Sequence, residues 1–91
     1  MSYASGTSPL DGVPSGDPDI DLLLKMLLIL RETRLKKKLT LRDLTQVMGI
    51  SYAHLSRAER GLSHPGLLVL LRWCRALDLK FGEVWLEVSG E

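Results

Sequence analysis

Cysteine is almost missing from this chain. Cys74 stands alone in an apolar stretch, so the chain forms no internal disulfide and has no thiolate metal set. It reads as a small core residue, and a reducing cytoplasm fits. Histidine is nearly as scarce. Neither His54 nor His64 has a metal or nucleophile partner at useful spacing, and there is no glycine-rich phosphate loop. No catalytic residue, metal ligand or cofactor is therefore expected, and no small-molecule ligand is evident. Long hydrophobic runs are lacking too. Leu22 to Leu30 is the densest, and it is short and contains Lys25, whereas a membrane span needs roughly 20 apolar residues. The first 19 residues are polar and acidic, unlike a signal peptide. No period-2 run of strand length occurs, so the expected fold is all-α.

One-sided charge is absent from the whole but present in its parts. The net charge is only +1. Residues 1–21 carry four Asp and no Lys or Arg. Residues 31–60 hold Arg31, Arg34, Lys36, Lys37, Lys38, Arg42, Arg57 and Arg60 against Glu32, Asp43 and Glu59, a local net of +5. The positive charge is thus concentrated in the middle of the chain, as a nucleic-acid-binding unit would have it.

Residues 1–18 are rich in Gly, Ser and Pro and read as a flexible acidic tail. The folded domain is expected over residues 19–88. Its first helix starts near Asp17 to Asp19, with Asp17 as cap, Pro18 in the first turn, and Asp19 and Asp21 at the positive end of the dipole. It runs to about Lys37, where Lys36, Lys37 and Lys38 suit the negative end. Apolar residues go nearly all round it, which predicts burial on more than one side.

Thr40 to Gly61 is the most informative stretch. Thr40 caps a second helix at about 41–48, and Asp43 completes a capping-box variant. Leu41, Leu44, Val47 and Met48 form its expected inner face. Gly49 ends it in a left-handed conformation, and Ile50 plugs the corner. Ser51 caps a third helix at about 52–60 that stops at Gly61, with Leu55 and Ala58 inward and Tyr52 at the edge. Pro65 suits the first turn of a fourth helix burying Leu67, Leu70, Cys74 and Leu77. A fifth runs from about Phe81 to Val88, with Val84 and Trp85 inward.

Two short helices meeting at Gly49 form a helix-turn-helix. Residues 30–86 resemble the lambda-repressor/Cro (XRE-type) helix-turn-helix domains. The similarity is carried by Thr40-Leu41-Arg42-Asp43-Leu44 and above all by Ile50 to Gly61, ISYAHLSRAERG, with its LSR-x-ERG ending. The resemblance implies a five-helix lambda-repressor-like domain, here with an N-terminally extended first helix. It implies a sequence-specific regulator of transcription that binds double-stranded DNA. Its base-reading positions fall on Tyr52, Ala53 and Arg57. Arg57 can fork onto guanine O6 and N7, and Ala53 can meet a thymine methyl. Thr40, Arg42, Ser51, Ser56, Arg60, Ser63 and His64 are the expected contacts to the DNA backbone. Glu59 is expected to bond backbone or a nearby basic group.

The sequence departs from the family at several points. Leu41 stands where many members have a bracing Gln. Thr45 is bulkier than the usual Ala, and Ala58 smaller than the usual Ile or Val. Lys38 replaces the usual Gly, which predicts an extended turn there rather than a left-handed one.

Ile20 to Met26 lengthen the first helix by roughly two turns, about 10 Å at 1.5 Å per residue. These turns are apolar, and Leu68, Val69 and Leu71 stand where members are often polar. One expectation is a homodimer on a palindromic operator, joined through Ile20, Leu23, Leu24 and Leu27, with Trp73, Trp85 and Leu86. The other is that the extension folds back over helix 4 or 5. Two further functions suit the same fold: a protein-interaction module without DNA binding, and an antitoxin that represses its own promoter.

Overall fold

The computed structural model describes residues 16–90. These form five helices and no strand: α1 (Pro18–Lys36), α2 (Leu41–Met48), α3 (Tyr52–Glu59), α4 (Leu67–Ala76) and α5 (Phe81–Ser89). Most of the expected acidic tail, residues 1–15, lies outside the described residues. Asp17 and Pro18 belong to the domain, because they start α1.

Asp17 Oδ1 accepts from the N–H groups of Asp19 (2.9 Å) and Ile20 (3.4 Å), and Pro18 occupies the first helical position. The other end of α1 corrects the sequence reading. Lys38 is left-handed, with φ 59°. Its N–H donates to the Leu35 carbonyl (3.0 Å), and that of Leu39 donates to the Arg34 carbonyl (3.1 Å). This is the Schellman arrangement, usually built on Gly. Here the two backbone bonds hold a lysine in it. The pattern recurs at Gly61 after α3 and, again without Gly, at Asp78 after α4.

The core is built from Leu27 and Leu30 of α1, Leu44 and Met48 of α2, Leu55 and Ala58 of α3, Leu70, Trp73 and Cys74 of α4, then Leu77, Val84 and Val88. Helix α1 packs on α3 and α5, and α2 on α3 and α4. The extension of α1 therefore stays within its own fold. Leu24, Met26 and Leu27 are buried, and Ile20, Leu22 and Leu23 pack half-buried against the core. This corrects the placement of Leu24 and Leu27 in a subunit interface: they already cover the monomer's own apolar surface.

Other apolar positions change sides. Trp73 is completely buried, whereas Trp85, expected inward, is 42% exposed. Leu67 and Val47, also expected inward, are exposed, Val47 at 71%. Helix α2 is short and seated by Leu44 and Met48, one turn apart, which leaves Val47 on its flank. Pro65 precedes α4 rather than entering its first turn. Gly66 is the extended N-cap, and the Pro65 ring is buried.

Candidate nucleic-acid interface

The site begins with how α2 and α3 start. Thr40 N–H donates to Asp43 Oδ2 (2.8 Å), and Asp43 N–H donates to Thr40 Oγ1 (3.0 Å). Both halves of the capping box are thus made. The Thr40 N–H holds the Asp43 carboxyl below its ordinary pKa. Ser51 Oγ accepts from the His54 N–H (3.1 Å) and fixes the first turn of α3.

Between the helices, Gly49 takes φ 72° and ψ 30°, and its N–H donates to the Thr45 carbonyl at 2.9 Å. A left-handed residue at this point turns the chain sharply enough for α3 to cross α2. Ile50 packs half-buried against the core, as the corner requires.

Helix α3 has two distinct sides. Leu55, Ala58 and Glu59 are buried, while Tyr52, Ala53, His54 and Arg57 are exposed and Ser56 is half-buried. Ala53 and Arg57 are four residues apart, as are Tyr52 and Ser56, so these four share one surface stripe. The three expected base readers are thereby brought together on the free side of the helix. Thr40, Arg42, Ser51, Arg60 and His64 are exposed as well, and Ser63 is half-buried.

The buried side is anchored by a charge pair. Arg34 Nε donates to Glu59 Oε2 (2.7 Å), and Nη2 donates to Oε1 (3.0 Å). Arg34 Nη1 also donates to the Leu39 carbonyl (2.8 Å). The two side chains retain only 12% and 6% exposure. One guanidinium thus ties the end of α1, the turn after it and the end of α3 into one unit. Glu59 thus bonds a basic group, as expected from the sequence, and its partner is Arg34, which in the sequence stands out only as one of the central charges. The available signal was a carboxylate beside Ala58 on the inner face, which needs a buried cation.

A second contact crosses the α2–α3 corner. The Arg42 guanidinium lies 5.2 Å from the centre of the Tyr52 ring. Tyr52 is accordingly half-covered, at 48% exposure. Thr45, the departure in mid-α2, donates its hydroxyl to the Arg42 carbonyl (2.7 Å).

Among the described residues, no group of His, Cys, Asp and Glu is placed to hold a metal ion. No helix among them is long and apolar enough to cross a membrane. The site is an exposed, basic and polar helix face.

Comparison with known proteins agrees with this geometry. The helix-turn-helix family matches over residues 30–84. The chain is 41% identical over 51 residues to y4dL of Sinorhizobium fredii (strain NBRC 101917 / NGR234), named an uncharacterized HTH-type transcriptional regulator. That match takes in 56% of this chain and 26% of the relative, so the chain matches about a quarter of the relative's length. No solved structure matches the chain significantly.

Proposed function

We propose that this chain, which belongs to the helix-turn-helix family of the lambda-repressor/Cro (XRE) type, is a sequence-specific DNA-binding regulator of transcription. One observation carries this reading. Tyr52, Ala53 and Arg57 project from the free side of α3, while Leu55, Ala58 and the Arg34–Glu59 pair fix the other side to the core. A helix held this way can enter the major groove without first being ordered.

In the complex, Arg57 reads a guanine, Ala53 meets a thymine methyl, and Tyr52 contacts a base or phosphate. Thr40, Arg42, Ser51, Ser56, Arg60, Ser63 and His64 hold the DNA backbone. The acting unit is the helical domain expected over residues 19–88, together with the Asp17 cap and Pro18 that start α1. The relative's printed description as a transcriptional regulator supports the same role. Selection from random double-stranded DNA tests it: one enriched motif is expected, and no enrichment at low salt contradicts it.

The chain acts as a homodimer on a palindromic operator. A net charge of +1 gives a single copy little sequence-independent affinity, and two half-sites read together overcome this. With Leu24 and Leu27 inside the monomer, the interface moves to Trp85 and its exposed neighbour Leu86 on α5. The exposed leucines of α4, Leu67, Leu68 and Leu71, favour a second reading, a module that binds another protein. Capture of a protein partner together with failure to select DNA would support that reading.

A further inference from the structure

The contact between Arg42 and Tyr52 joins the two helices of the motif at the place where both meet solvent. Arg42 is the second residue of α2, and Tyr52 is the first of α3. Each stands on a first turn already fixed by a cap, the Thr40–Asp43 box on one side and Ser51 on the other. The backbone of Arg42 is further held by the Thr45 hydroxyl on its carbonyl. The guanidinium at 5.2 Å from the ring centre is within the roughly 6 Å over which a cation is attracted to an aromatic face. Among the described residues no carboxylate forms a salt bridge with Arg42, so its charge is shared between the ring and solvent. Leu41, beside it, is apolar and half-buried, and its side chain has no hydrogen bond to offer α3.

Resting on the DNA-binding reading above, we propose that Arg42 is a positioning residue for Tyr52, so that the base preferred opposite Tyr52 depends on a side chain that touches only the DNA backbone. An unsupported tyrosine at the exposed start of a helix samples several rotamers, and binding would have to select one. The guanidinium covers part of one ring face and removes that freedom before DNA arrives. The phenol hydroxyl stays free to donate. The guanidinium keeps N–H groups for a phosphate, since a stacked arginine still presents donors at its edge. The two residues then act as a unit. A phosphate contact alone would make Arg42 indifferent to the identity of residue 52.

The test is a double-mutant cycle on a sequence selected by the wild-type chain, using R42M, Y52L and the double variant, with R42K and Y52F as conservative controls. Both residues are exposed, so thermal melting should confirm an intact fold in each variant. The double variant is expected to lose about 2- to 5-fold less affinity than the product of the single losses. R42K should retain binding strength better than R42M yet relax the preference at the base pair facing residue 52. In the free protein, the Arg42 side-chain protons should show an upfield ring-current shift that Y52F keeps and Y52L abolishes. Single losses that multiply, or the absence of that shift, overturn the proposal while leaving DNA recognition standing. Failure of the wild-type chain to select any sequence overturns the DNA-binding reading, and the positioning role with it.

Discussion

Arg34 of α1 holds both carboxylate oxygens of Glu59 of α3, 25 residues further along the chain, at 2.7 and 3.0 Å. The same guanidinium holds the Leu39 carbonyl, so the exit of α1 and the end of α3 share one fastening. Removing either partner leaves a nearly buried charge without its counter-ion.

Glu59→Gln is therefore expected to lower stability by about 2–3 kcal/mol, read from urea unfolding. Replacing both partners by apolar residues of similar volume should cost less than this single change. A Glu59→Gln variant as stable as the parent would show that the pair does not fasten the helix.

The corner at Gly49 is strained for any residue with a Cβ. No atom lies near where that Cβ would sit, so the penalty comes from φ 72° alone. Gly49→Ala should cost about 1–2 kcal/mol and leave the folded structure unchanged by circular dichroism. A stabilising result would mean that the turn is not left-handed in solution.

These two features show how unevenly the structure could be read from sequence. The Thr40–Asp43 box, Gly49, Ser51 and Gly61 were legible because each leaves a local chemical signature. Lys38 and Asp78 were not, since neither side chain announces a left-handed turn and backbone bonds from Leu39 and Leu79 hold them there. Rotation about the axis was lost for α1 and α4 for another reason. Both helices are apolar nearly all round, so periodicity cannot say which side faces in. That is why Leu24 and Trp73 proved to be core while Leu67 proved exposed; Trp85, also exposed, lies on α5, where Val84 and Val88, four residues apart, set the buried side. The stripe of Tyr52, Ala53 and Arg57 was readable because Leu55 and Ala58 fix the phase of α3.

The corrected burial separates core from interface by experiment. Leu24→Ala should destabilise the fold by about 2–5 kcal/mol and leave the sedimenting species unchanged. Trp85→Ser with Leu86→Ser should shift a sedimenting dimer to monomer with the fold intact. A wild-type chain that sediments as a monomer at high micromolar concentration would remove the dimer from the account.

Asp43 makes α2 sensitive to acid. Its folded pKa is lowered below the ordinary 3.8, chiefly by the Thr40 N–H. A lowered carboxyl contributes stability above its unfolded pKa and loses it as pH falls through the folded value. Asp43→Asn should therefore flatten the part of the acid unfolding profile below about pH 4. An unchanged profile would mean that the box is not formed in solution.

The role proposed for Arg57 and its neighbours on α3 is to read DNA sequence. Its most direct measurement is the affinity of wild-type and Arg57→Ala chains for a motif selected from random DNA, and for that motif with each base pair changed in turn. Arg57→Ala is expected to lose about 1–3 kcal/mol of discrimination at one base pair in each half-site while other positions keep their preferences. Unchanged affinity and unchanged base preference for Arg57→Ala would contradict the account.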